Sequence, residues 1–126
     1  MRFYERQFVT RQDMNLDVLG RFEKLIDEYL DSDITLKDGV PSVQYFADKV
    51  CLSPNYFGDL VKKETGKSAK EYIQLKMLNV AKGELLHPEK SITEVAAKLG
   101  FQYPQHFVRF FKRYEGITPS QYRQAN

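Results

Sequence analysis

The sequence has few of the residues that build disulfides and metal sites. Among its 126 residues it contains one cysteine, Cys51, and two histidines, His87 and His106. A single cysteine excludes an internal disulfide and any zinc site made of cysteines. The two histidines are not accompanied by a carboxylate cluster in the sequence, so we predict no metal site and no cofactor.

Long apolar runs and catalytic constellations are also missing. No stretch approaches the roughly 20 apolar residues that cross a bilayer. The segment from Met1 to Phe8 is charged and aromatic, unlike a signal peptide. Neither a Ser-His-Asp constellation nor a glycine-rich phosphate loop occurs. We therefore expect a cytoplasmic protein that has no membrane association and no enzymatic activity.

What the chain does contain is an uneven distribution of charge. Residues 1–40 carry six basic and nine acidic side chains, a net charge of −3. Residues 41–126 carry 13 basic and eight acidic side chains, a net charge of +5. This asymmetry either indicates an anion-binding C-terminal two-thirds or reflects an uneven solvated surface.

After Pro41 the chain repeats itself once. Residues 42–52 align with residues 91–101, and residues 54–72 align with residues 104–122. The identical pairs are Ser42/Ser91, Ala47/Ala96, Lys49/Lys98, Pro54/Pro104, Phe57/Phe107, Lys62/Lys112, Gly66/Gly116 and Tyr72/Tyr122. A repeated unit with matching apolar positions predicts two copies of the same small fold.

Each copy is predicted to hold a short helix, a tight turn and a longer helix, which is the helix-turn-helix pattern. The helices cover residues 43–50 and 54–65 in the first copy, and residues 92–99 and 103–115 in the second. A capping box of Ser91 and Glu94 begins the second copy, and Gly100 permits its turn. Cys51 stands where the second copy has Gly100, and we expect it to be a small buried turn residue.

The remaining segments are predicted to be a first helix, a loop and a connector. Apolar residues at helical spacing predict a helix from Asp17 to Asp31, and the stretch from Ser32 to Pro41 is predicted to be a loop. A connector helix begins with a capping box at Ser68 and Glu71 and runs to about Leu86. Its length of roughly 28 Å is close to the ~34 Å between successive major grooves on one face of DNA.

The sequence therefore predicts an all-α chain in which a long linker helix joins two helix-turn-helix sub-domains. The predicted parts are an N-terminal arm or remnant of an upstream domain (1–16), a first sub-domain (17–66), the linker helix (67–87) and a second sub-domain (88–126).

The last long helix has one aromatic face and one polar face. Its core face is predicted to contain Phe107, Phe110, Phe111 and Tyr114, and the opposite stripe contains Gln105, Val108, Arg109 and Lys112. Arginine can bond to guanine and glutamine to adenine in the major groove, and a valine can touch a thymine methyl group. The stripe is either a base-reading surface or the ordinary polar face of a helix.

The equivalent stripe of the first copy is less suited to DNA. It consists of Asn55, Gly58, Asp59 and Lys62, with Phe57, Leu60 and Val61 facing inward. Asn55 is a candidate for contact with adenine and Asp59 with the amino group of cytosine, but the carboxylate also repels phosphates. The predicted contacts to the DNA backbone are Lys62, Lys63, Lys112, Arg113 and Thr93, the last at a helix N-terminus. Further phosphate candidates are Lys67, Lys70, Lys76 and Lys82.

These segments resemble the AraC/XylS-type transcription regulators. The resemblance is carried by F-V-R-F-F-K-R-Y-E-G-I-T-P-S-Q-Y-R (107–123), by K-K-E-T-G (62–66) and by A-K-G-E-L-L followed by S-I-T-E-V-A (81–96). It implies a domain of about seven helices whose two recognition helices enter adjacent major grooves of double-stranded DNA. It places Asn55, Gly58 and Asp59 at the base-reading positions of the first helix, and Gln105, Val108 and Arg109 at those of the second. Gly58, Asp59 and Cys51 depart from the family's pattern.

The resemblance also implies partners outside this chain. Members of the family commonly carry an N-terminal sensing or dimerisation domain, and more of them activate transcription than repress it, with RNA polymerase as a partner. We expect the chain to be a fragment of such a regulator. The alternative is a helical protein-interaction module, which the polar and basic stripes disfavour.

Overall fold

The computed structural model describes residues 10–126, which form eight α-helices and no strand. The helices are α1 (Arg11–Asp31), α2 (Ile34–Asp38), α3 (Val43–Lys49), α4 (Pro54–Thr65), α5 (Ala69–Leu85), α6 (Ile92–Lys98), α7 (Pro104–Glu115) and α8 (Pro119–Ala125). The all-helical prediction is confirmed. In this part of the chain, no helix combines the length and the apolar character that crossing a membrane requires.

Serine and threonine caps determine where most of the helices begin. The side chains of Ser42, Ser53, Ser68, Ser91 and Thr118 each accept a hydrogen bond from a backbone amide in the first turn. Such caps satisfy amides that have no partner inside the helix. The predicted capping box of the second copy forms completely, whereas the one predicted at Ser68 is only half formed, because Glu71 does not return a bond to the Ser68 amide.

The predicted start of the first helix at Asp17 is wrong. Helix α1 begins at Arg11, where Thr10 and Asp13 exchange hydrogen bonds of 3.0 and 3.3 Å between side chain and backbone. The first turns were missed because they are polar and mostly exposed, so the apolar periodicity starts only at Val18. Residues 11–16, predicted to be part of an arm, therefore belong to α1, and residues 1–9 lie outside the described part of the chain.

The segment from Ser32 to Pro41 is not all loop, as we predicted, because it contains the five-residue helix α2. The Ser32 hydroxyl accepts a bond from the Ile34 amide, and Gly39 ends the helix with a φ of 82°. The Tyr29 hydroxyl donates to the Gly39 carbonyl at 2.8 Å. Because α2 packs against α6, this short helix joins the first half of the molecule to the second.

The core is continuous through the two copies, which we call the first head (α3 and α4) and the second head (α6 and α7). In the first, Phe22 of α1 packs edge-on against Phe46 of α3 and Phe57 of α4, with ring centroids 5.3 and 4.8 Å apart. In the second, Phe107 and Phe111 of α7 are both fully buried. Helix α5 packs against α1, α3, α4, α6 and α8. It therefore connects the heads through shared core rather than as an isolated rod.

The two tight turns have the same hydrogen bonds but different residues at their left-handed position. The amides of Cys51 and Leu52 bond back to the preceding helix, and those of Gly100 and Phe101 do so in the second head. The φ angles are 62° at Cys51 and 98° at Gly100. Cys51 is exposed, so the prediction of a buried turn residue is wrong.

A Cβ on Gly100 would lie 2.5 Å from the Gly39 carbonyl carbon, because the two backbones approach closely there.

The close approach at Gly100 makes this position the least tolerant of a side chain. We expect Gly100→Ala to lower the free energy of unfolding by about 2–5 kcal/mol, because it adds left-handed strain to a clash with backbone. We expect Cys51→Gly to leave stability unchanged or raise it by up to about 1 kcal/mol, since it removes the same strain. Both changes are measured by denaturant unfolding.

Gly116→Ala is the matched control, because Gly116 has a φ of 88° but nothing within 4 Å of an added Cβ. It should cost about 1 kcal/mol. Equal losses for Gly100→Ala and Gly116→Ala would refute a role for the close approach to Gly39.

Candidate nucleic-acid interface

Helix α7 presents a polar stripe because its opposite face is anchored in the core. Phe107 and Phe111 are fully buried, whereas Gln105, Arg109 and Lys112 are exposed. Their spacing places them on one face of the helix, with the half-buried Val108 between them. Phe110 and Tyr114, which we predicted to be core, are half-buried and pack against its edge.

The cations of this stripe are not neutralised by the protein itself. Within residues 10–126, neither Arg109 nor Lys112 forms an ion pair or a side-chain hydrogen bond. The neighbouring Arg113 is also exposed, and its guanidinium lies 5.9 Å from the centroid of the Tyr114 ring. Helix α7 therefore has three cationic side chains that are available to an anionic partner.

Two lysines that the sequence suggested as phosphate contacts are already paired. Lys76 lies 3.1 Å from a Glu23 carboxylate oxygen, and Lys82 lies 2.9 Å from Glu115. These pairs connect α5 to α1 and to α7, so the two lysines position helices. Lys67 and Lys70 are exposed, with no carboxylate partner in the described part of the chain.

Helix α4 is anchored in the same way but carries a different stripe. Phe57, Leu60 and Val61 are buried as predicted, and Asn55, Asp59 and Lys62 are exposed. Gly58 is open to solvent on its Cβ side, where an added Cβ would meet nothing within 4 Å.

The two long helices of the heads therefore differ in charge. Helix α4 carries Lys62 and Lys63 against Asp59 and Glu64, a net charge of zero. Helix α7 carries Arg109, Lys112 and Arg113 against Glu115 alone, a net charge of +2. The second head is therefore the more attractive to a polyanion.

Thr93 lies exposed in the first turn of α6. The Glu94 amide donates to the Ser91 hydroxyl at 3.0 Å, and the Ser91 amide donates to the Glu94 carboxylate at 2.9 Å. The bond from the Ser91 backbone holds the pKa of Glu94 below its ordinary value. The capping box thus occupies two of the amides in this turn and leaves those of Ile92 and Thr93 for a partner, beside a carboxylate that stays ionised.

The scaffold behind the stripes contains polar residues that sequence reasoning missed. The Tyr114 hydroxyl donates to Gln74 Oε1, and the Arg123 guanidinium donates to the Leu85 carbonyl at 2.8 Å. At the other end of α5, the Tyr72 hydroxyl donates to Glu23 at 2.8 Å. Burial, followed by this hydrogen bond, raises the pKa of Tyr72 to about 12. The partners lie 38–49 residues apart in the chain, so no local pattern could indicate them.

Across residues 10–126, no three histidine, cysteine or acidic side chains come together in a group that could hold a metal ion.

Comparison with known proteins adds evidence on family. The family model described as a helix-turn-helix domain matches residues 46–125. The HTH-type transcriptional regulator YtdP of Bacillus subtilis is 34% identical over 100 residues, which cover 79% of this chain and 12% of the relative. The chain spans only 12–31% of the length of the first curated relatives that it matches.

Solved structures agree with the sequence comparison. The C-terminal domain of the response regulator yesN from Fusobacterium nucleatum is 30% identical, with a TM-score of 0.66 over 80% of this chain and 96% of that one. The DNA-binding domain of AdpA, solved in complex with a target DNA, has a TM-score of 0.68 over 82% of this chain and 90% of that one; at 22% identity it shows the fold alone. The chain belongs to the AraC/XylS-type helix-turn-helix family of DNA-binding transcription regulators.

Proposed function

We propose that the chain reads one asymmetric DNA site with both heads, placing α4 and α7 in two successive major grooves. The observation that carries the proposal is the stripe of Gln105, Arg109 and Lys112, which is exposed, unpaired within residues 10–126 and held by a buried aromatic face. An α-helix fits the major groove, and arginine and glutamine bond to two atoms of a base at once. A stripe without cationic side chains would not attract the phosphates of DNA.

The individual contacts follow from side-chain chemistry. Gln105 and Arg109 would bond to base edges, with Val108 against a thymine methyl group, and Asn55 and Asp59 would take the corresponding roles in the first head. The proposed phosphate contacts are Lys62, Lys63, Lys112, Arg113 and the backbone of Thr93. Contacts to phosphates position the protein without selecting a sequence.

The larger assembly is part of the same proposal. We propose that the chain is divided into a first sub-domain that ends near residue 66, a linker helix from 67 to 87 and a second sub-domain from 88 to 126. The short span relative to YtdP supports an upstream sensing or dimerisation domain in the whole protein.

We propose a cytoplasmic activator that contacts RNA polymerase, so transcription from a promoter carrying the selected site should rise with added protein. A fall would indicate a repressor.

The experiment that tests DNA reading is a selection of bound sequences from random duplex DNA, followed by a salt titration. We expect an enriched motif in two parts, about one helical turn apart. Affinity should fall steeply with salt, because bound cations release counterions from DNA. No enrichment even at low ionic strength would refute the proposal, and a weak salt dependence would favour the alternative, a helical protein-interaction module.

Arg109 and Lys112 are expected to contribute differently to binding. Arg109→Ala should weaken the selected site by ~1–3 kcal/mol and relax the preference at one base position. Lys112→Ala should weaken all sequences alike and lower the salt slope by about 1. Binding to a panel of single-base variants of the selected site measures both effects. If Arg109→Ala left the ranking of that panel unchanged, its role would be restricted to phosphate contact.

Asp59 is expected to reduce the affinity of the first head for DNA. Asp59→Asn removes one negative charge from an exposed site while keeping shape, so we expect tighter binding to random-sequence DNA, by roughly three- to tenfold at low salt. The gain should vanish at high salt because exposed charges are screened. Asp48→Asn, on the exposed face of α3, is the charge-matched control. An equal gain for both variants would indicate a general effect of net charge.

A further inference from the structure

A groove runs between the two heads along helix α5. It consists of two adjoining cavities of about 260 and 230 Å³, which share Val40, Gln74 and Met77 and which we call the central groove. Lys70 lines one end, and Arg109 and Arg113 line the other. Because Arg109 belongs both to this groove and to the stripe of α7, the groove adjoins that stripe.

The lining of the central groove attracts anions and repels none. In the described residues, neither cavity is lined by an aspartate or glutamate, although the chain has 17 of them. Gln74 uses its carbonyl oxygen to accept the Tyr114 hydroxyl, which leaves its amide hydrogens as donors. Met77 lines both cavities and is almost completely buried. The groove therefore combines cationic side chains and hydrogen-bond donors with apolar lining residues such as Met77.

Duplex DNA places phosphates opposite such a groove. Successive major grooves on one face are separated by a minor groove about 6 Å wide, bordered by the phosphates of both strands. If α4 and α7 occupy those major grooves, the surface between the heads faces this minor groove. The central groove offers positive charge and the amide donors of Gln74, which fit the sugar-phosphate backbone at this position.

We infer that the central groove is a third DNA contact, at which Lys70 and Gln74 bind phosphodiester groups in the spacer between the two half-sites. This inference rests on the proposed function, because it requires both heads on one duplex. It gives α5 a direct part in binding beyond its part in joining the heads. It also makes affinity depend on the spacer, since phosphates there must lie within reach of the groove.

The test replaces single phosphates by neutral methylphosphonates through the spacer of the duplex recovered by selection. We expect the unaltered chain to lose roughly three- to tenfold in affinity at one or two adjacent spacer phosphates, as removal of one ionic contact implies. Lys70→Gln should bind the unmodified duplex more weakly by a similar factor, with a salt slope lower by about 1. It should then lose much less than the unaltered chain at those phosphates, because the charge that contacts them is gone and only Gln74 remains.

Lys24→Gln is the charge-matched control, since Lys24 is exposed on α1, lines neither cavity and forms no ion pair within residues 10–126. It should keep the full sensitivity to the spacer phosphates, and an unfolding measurement checks that both variants are folded. The inference is overturned if no spacer phosphate matters to the unaltered chain, or if Lys70→Gln remains as sensitive as the unaltered chain. Those outcomes leave selective binding intact, whereas failure of the selection itself would remove the proposed function.

Discussion

Helix α5 carries one buried apolar strip, whose residues are four apart in the chain and each no more than 3% exposed: Ile73, Met77, Ala81 and Leu85. Residues at this spacing lie above one another on a helix, and burial of each large apolar side chain contributes about 1.5–3 kcal/mol. Both heads pack on the helix that carries this strip. The relative position of α4 and α7 therefore depends on the same hydrophobic contacts that hold the fold together. A substitution in the strip would change the geometry of DNA binding and the stability at once.

Polar contacts at both ends of α5 restrict the orientation of the helices that pack against it. Tyr72 and Lys76 both contact Glu23 near the first head, and Arg123 donates to the Leu85 carbonyl near the second. Hydrogen bonds require defined angles, so these contacts fix the orientation of α1 and α8 relative to α5. Helix α1 in turn packs on α3 and α4 of the first head, and α8 packs on α7 of the second. The exposed side chains proposed to read bases take part in none of these contacts. The scaffold can thus stay constant while the stripes on α4 and α7 change.

The sequence predicted most of the fold because its strongest signals are local or repeated. Matching apolar positions indicated both heads, and serine caps indicated where their helices begin. The start of α1 was wrong because its first turns bury little apolar surface, and α2 was missed because five residues next to Gly39 and Pro41 resemble a loop. The stripes on α4 and α7 could be predicted because the apolar periodicity that separates a buried face from an exposed one is also a local signal. The central groove could not be predicted, because Val40, Gln74 and Phe101 come together only through tertiary packing.

The unequal charge of the two heads has a physical consequence for selectivity. Helix α7 carries the cations Arg109, Lys112 and Arg113, whereas α4 carries the carboxylate of Asp59 in its stripe. A repulsive group lowers affinity for every sequence unless a base donor, such as the amino group of cytosine, compensates the carboxylate. Specificity is a difference between affinities, so weakening the wrong sites can raise it as effectively as strengthening the right one. A strongly attractive second head combined with a restrictive first head would therefore discriminate between sites better than two strongly basic heads.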